Sequence, residues 1–90
     1  MSESEPRVLI VDDQQSIRKF LSLALMAQKY EVFEASSGQA ANDSAVLHKP
    51  DVIILDLGLP DMDGVEVTRL LRQWTQTPII VLSVRGSESD

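Results

Sequence analysis

The stretch Val52-Ile53-Ile54-Leu55-Asp56-Leu57-Gly58-Leu59-Pro60-Asp61-Met62-Asp63-Gly64 decides how the rest of the chain is arranged. Four branched aliphatic residues run without polar interruption into one carboxylate. Alternation would describe a strand with one wet face. An unbroken run describes a strand covered on both faces, as at the centre of a parallel sheet. Asp56 therefore stands at the carboxyl end of a buried strand, where open α/β sheets place their ligands. Pro60 and Gly64 punctuate the loop that follows, and Asp56 is the leading functional candidate.

The flanking sequence supports that reading. Arg7 to Val11 (RVLIV) is a second short apolar run, and it ends in Asp12-Asp13. Ser16 to Gln28 switches to helical period, with Ile17, Phe20, Leu21, Ala24 and Leu25 as the core face and Arg18, Lys19, Ser22 and Gln28 largely opposite. Asp13 is placed to cap that helix. Tyr30 to Ala35 (YEVFEA) sets Val32 between two glutamates, which suits an edge strand. Ser36-Ser37-Gly38 opens a weaker helix that Pro50 ends, because the residue before a proline is pushed out of helical geometry. Asp63 and Glu66 have capping-box spacing, and a helix through Val65, Leu70 and Leu71 continues to Trp74. Thr77-Pro78 starts a last apolar strand, Ile79 to Leu82, ending at Ser83. The order β-α-β-α-β-α-β with parallel-type strands is an α/β, doubly wound sheet with helices on both faces.

Composition narrows the function classes. Ninety residues suit one small domain, and 43% hydrophobic content supplies a core. A net charge of −6 lacks any basic footprint, so no nucleic-acid contact is expected of this segment. With no cysteine, disulfides and thiolate metal sites are excluded, in keeping with a reducing cytoplasm. Residues 1–6 read as a solvated leader without the layout of a signal peptide, and no apolar run reaches membrane-spanning length. Neither G-x-G-x-x-G nor G-x-x-x-x-G-K follows any strand, which removes dinucleotide and P-loop readings.

Asp12, Asp13 and Asp56 come from the ends of two strands expected to be neighbours. Like charges brought together repel and raise a pKa unless a cation is present. A hard divalent ion held by oxygen resolves this, and Mg²⁺ accepts few protein ligands when waters and a phosphate complete its octahedron. The cation also lets an anionic phosphoryl group approach an anionic nucleophile, so Asp56 can form an acyl phosphate. Ser83, ending the next strand, can donate a hydrogen bond to a phosphoryl oxygen.

VLIVDD, VIILDLGLPDMDG and PIIVLS together closely resemble the receiver domain of bacterial two-component response regulators, over Arg7 to Ser83. The resemblance implies a flavodoxin/CheY-like sheet with Asp56 as the phospho-acceptor. It makes Asp13 the direct Mg²⁺ ligand, with Asp12 acting largely through a metal-bound water. The backbone carbonyl of Gly58 is a further ligand, and Ser83 is the switch hydroxyl. It also implies a sensor histidine kinase as partner. KPDVIILDLGLPDMDG, LLRQW and PIIVLSVRGSESD further resemble the branch of the family that regulates potassium-transporter operons, winged-helix transcription factors partnered by membrane kinases.

The chain departs from the family pattern in two ways. Receivers have five strands and five helices, whereas this pattern, with residues 7–90 as a partial receiver domain, stops without the last helix-strand-helix. The lysine that ends the fifth strand is thus absent, and no catalytic lysine is assigned; Lys49 lies at the wrong end of the sheet, and nothing places Arg85 inward. The residue after the switch hydroxyl, commonly small, is Val84, which should narrow access to the acyl phosphate. The open edge at Ile79 to Leu82 invites pairing with a second copy, so a homodimer through the fourth strand is expected.

Competing readings are weaker. A phosphohydrolase of the haloacid-dehalogenase type carries its nucleophile on the first strand and a second Asp two positions on, where this chain has Gly58. A pseudo-receiver that is never phosphorylated fits the missing lysine. Asp61 and Asp63 read as loop and cap residues. His48 reads as solvated or as complementing a helix end, and Trp74 as packing at a helix end.

Overall fold

The computed structural model describes residues 5–82. The elements are β1 (Arg7–Val11), α1 (Gln15–Ala27), β2 (Glu31–Ala35), α2 (Gly38–His48), β3 (Val52–Asp56), α3 (Gly64–Arg72) and β4 (Ile79–Leu82). The strands form one parallel sheet in the order β2-β1-β3-β4. From β1 the chain steps outward to β2, then returns across β1 to β3 and on to β4. Right-handed crossovers therefore put α1 on one face and α2 and α3 on the other.

The continuous apolar runs now have their reason. Leu9, Val11, Ile53 and Leu55 share one face and join Ala35, Ala41, Ala45, Leu59, Val67 and Leu71 in a single buried cluster with α2 and α3. Val8 and Ile10 have the opposite parity and are equally buried, on the side where α1 contacts β1. Both faces of β1 are covered, and β3 carries the same run beside it. β2 is an edge strand, as its glutamates predict, with Glu31 and Glu34 exposed.

The helix ends follow local chemistry. Ser37 Oγ accepts from Ala40 N at 3.1 Å, and Asp63 Oδ1 accepts from Glu66 N at 2.9 Å. The second is half of a capping box, because the Glu66 carboxylate pairs with Arg69 instead. α2 stops at His48, and Lys49 takes left-handed backbone (φ 50°) immediately before Pro50.

Two expectations about α1 are corrected. Phe20 is 70% exposed and Ala24 is also exposed, so they are not core. Ile17, Leu21 and Leu25 are half-buried, and the buried residue of the helix is Ser22. Nor does Asp13 cap the helix: Gln14 holds that position without a side-chain cap, and the Asp12 carboxylate takes the Gln14 N–H. Residues 1–4 of the leader, and Ser83, Val84 and Arg85, lie outside the described residues.

Burial sets the expected cost of substitution. Ile53→Val, at a fully buried position, should cost about 0.5–1.5 kcal/mol in urea unfolding. Phe20→Ala should stay within about 0.5 kcal/mol of wild type. Equal effects would contradict this placement of α1.

Candidate functional site

β1 and β3 run side by side with Val11 opposite Leu55, so the next residue of each, Asp12 and Asp56, comes to the same rim. One carboxylate oxygen from each of Asp12, Asp13 and Asp56 lies within 4.8 Å of the other two. Asp12 is 4% exposed and Asp56 8%, while Asp13 is open to solvent. The rim sits between β1 and β3, where the strand order reverses and open α/β sheets leave a crevice.

The electrostatics of the cluster centre on Asp12. Burial raises its pKa above the usual aspartate value, opposed by the Gln14 N–H at 2.9 Å and reinforced by the charges of Asp56 and Asp13. Arg18 also acts here. Its Nη1 donates to the Asp12 carbonyl oxygen at 2.8 Å, and its Nε pairs with Glu34 at 3.0 Å. The guanidinium thus ties the end of β1 to α1 and to β2 without occupying the Asp12 carboxylate. From sequence, Arg18 belonged to the polar face of a helix. Its role depends on Glu34, sixteen residues away, and no local pattern announces that.

The other candidates sort clearly. Gly58 lies two residues beyond Asp56 in a loop closed by a bridge between Gly58 and Asp63 and by Gly64 N donating to Leu57 O at 3.0 Å. Lys49 lies at the opposite end of the sheet, beside Glu5, Arg7 and Asp51, as expected. His48 lies half-exposed in the last turn of α2, at the helix end as expected, and its ring stacks on Phe33 with centroids 3.9 Å apart. Trp74, just past α3, donates to Asn42 of α2 at 3.1 Å. Asp61 is more than a loop residue, because both of its oxygens accept backbone N–H groups from α2.

The donor set suits a hard cation. All three side chains offer oxygen, and among the described residues no lysine or arginine pairs with any of the three carboxylates. One oxygen from each side chain lies within 4.8 Å of the other two, close enough for the three to face a single hard cation that keeps waters in its remaining positions.

Comparison with known proteins agrees with this geometry. The family profile of the response regulator receiver domain matches residues 8–90. The chain belongs to this family. The receiver domain is 57% identical over 83 residues to the KDP operon transcriptional regulatory protein KdpE of Escherichia coli, covering 92% of this chain and 37% of that protein. It is 45% identical over 83 residues to the transcriptional regulatory protein SrrA of Staphylococcus aureus, covering 92% of this chain and 34% of that protein. Among solved structures, the chemotaxis response regulator CheY4 of Vibrio cholerae superposes with a TM-score of 0.81 at 39% identity, covering 86% of this chain and 67% of that one. The receiver domain thus spans little more than a third of the curated relatives it matches. The likeness to KdpE agrees with the branch indicated by LLRQW and PIIVLSVRGSESD. Among the described residues, no helix is long and apolar enough to cross a membrane.

The raised Asp12 pKa fixes the sign of a pH effect. Because its folded value lies above the unfolded one, ionised Asp12 destabilises the fold at neutral pH, and the penalty fades as acid protonates it. A bound cation removes the same penalty without a proton. Mg²⁺ should therefore raise the Tm at neutral pH and lose that effect towards about pH 4. Asp12→Asn keeps an acceptor for Gln14 N–H and should raise the metal-free Tm by a few degrees, since about 1 kcal/mol corresponds to roughly 4–8 °C in a domain of this size. A Tm indifferent to both Mg²⁺ and Asp12→Asn would contradict the electrostatic picture.

Proposed function

We propose that this chain is the phospho-accepting module of a two-component response regulator, with Asp56 taking a phosphoryl group from the phosphohistidine of a sensor histidine kinase. The observation that carries the reading is the meeting of Asp56 with Asp12 and Asp13 at the switch point of the sheet. In the transfer, an Asp56 oxygen bonds to phosphorus as the P–N bond to the imidazole breaks. The imidazole leaves with the electron pair and takes up a proton from solvent, and the product is an acyl phosphate.

Asp12, Asp13, Asp56 and the Gly58 carbonyl would hold a Mg²⁺ ion, which when bound would supply the positive charge that lets two anions approach. The protein's own contribution is positional. Asp56 is fixed at the end of a strand buried against its neighbour, and Asp12 is held by Gln14 and Arg18. The family resemblance gives Ser83, which lies outside the described residues, the part of a switch hydroxyl that would donate to a phosphoryl oxygen and so bias a two-state surface around β4. In the whole protein the readout is dimerisation and transcription control in the cytoplasm, with potassium-transport genes as the targets favoured by the likeness to KdpE. Among the described residues β4 is an edge strand with Ile80 and Val81 half-exposed, and two copies of this chain would pair through it.

Incubation of the full chain with acetyl phosphate and Mg²⁺, followed by intact mass, tests the assignment. One hydroxylamine-labile phosphoryl group is expected on wild type and none on Asp56→Asn. Equal labelling of both proteins, or no labelling of a folded wild type, would refute it.

A further inference from the structure

We propose that Asp61 is a positioning residue for the acidic site, latching the loop that carries Gly58 to the first turn of α2. The inference rests on the reading of Asp56 and Gly58 as parts of a metal and phosphoryl site. It begins with a side chain whose partners are far off in sequence. Asp61 Oδ1 accepts from Gly38 N at 2.7 Å, and Oδ2 accepts from Gln39 N at 3.0 Å. Both amides belong to the first turn of α2, where backbone donors have no partner within the helix and the dipole favours an anion. These two bonds hold the Asp61 carboxyl below the usual aspartate range. Ser37 Oγ serves the next amide, Ala40 N, so the helix start is shared between its own cap and a visiting carboxylate.

The same junction is closely packed. Gly38 leaves no room for a Cβ, which would lie 2.7 Å from Met62 Sδ and 2.9 Å from Val67 Cγ2. Gly64, at the other end of the loop, is as tight: a Cβ there would lie 3.0 Å from Leu57 Cα. The loop is therefore fixed at its root by Gly64 N bonding Leu57 O and by the Gly58–Asp63 bridge, and at its tip by Asp61 and Met62 against α2. Without Asp61, the loop tip keeps only the packing of Met62 against α2, and its remaining hydrogen bonds are those at the root beside α3. A carbonyl that serves as a metal ligand loses affinity when its backbone can wander, just as ligands do when their outer partners are removed.

The test compares three variants in the full chain. Asp61→Ala should weaken Mg²⁺ binding by roughly tenfold in calorimetry, the low end for loss of an outer-shell partner. It should slow phosphorylation at limiting Mg²⁺ while leaving the rate at saturating Mg²⁺ near wild type. Asp61→Asn keeps one acceptor but turns an NH₂ towards the second amide, so a smaller loss is expected. Ser37→Ala removes the α2 cap without touching the loop; it should lower the Tm and leave Mg²⁺ affinity unchanged. Wild-type affinity in Asp61→Ala would overturn the latch, as would an equal loss in Ser37→Ala. Metal-free hydrogen exchange separates this from failure of the site itself. Even if wild type bound no Mg²⁺, faster exchange at Gly58 and Gly64 in Asp61→Ala would support the latch, and unchanged exchange would overturn it.

Discussion

Two strands hydrogen-bonded in one register hold together charges that would otherwise separate. Val11 stands opposite Leu55, so the next residue of each chain segment, Asp12 and Asp56, emerges at the same rim. Slipping that pairing by one residue would turn every apolar side chain of β1 or β3 to the other face. The cluster that Leu9, Val11, Ile53 and Leu55 form with α2 and α3 opposes it. Hydrophobic burial thus sets the position of the acids, and their repulsion is the cost that a cation can remove. The site exists because the core is specific about register.

The polar groups around the cluster keep the carboxylates available. Arg18 binds the Asp12 carbonyl oxygen rather than its carboxylate, and Glu34 takes the rest of the guanidinium. Gln14 N–H meets only one Asp12 oxygen. Asp61 directs its negative charge towards the start of α2. Each contact fixes backbone, and none neutralises the acidic cluster through an ion pair at its side chains. The molecule is stiff where the acids are anchored and open where they face solvent.

Legibility in the sequence followed the range of the interactions. Buried parallel strands could be read because continuous aliphatic runs are a local property, and the convergence of Asp12, Asp13 and Asp56 followed from strand ends. The placement of Phe20 and Ala24 could not be read correctly. They belong to a reasonable apolar stripe, but the arc of α1 that is buried is rotated towards Arg18 and Ser22. Asp13 was an equally good cap candidate on composition, yet the strand end carries Asp12 to Gln14 N first. Arg18 and Asp61 find partners 16 and 22–23 residues away, so only the folded chain identifies them. The stacking of His48 on Phe33 is hidden from the sequence for the same reason, since its partner lies on another element.

The central claim is that one cation binds at the rim shared by β1 and β3. Titration with Mn²⁺, followed by paramagnetic broadening of backbone amide signals, tests it most directly. The account predicts early, selective loss of the signals around Asp12, Asp13 and Asp56, reversed by excess Mg²⁺. Broadening centred instead on Glu5 and Asp51 at the opposite end of the sheet, or spread evenly over the acidic surface, would contradict it.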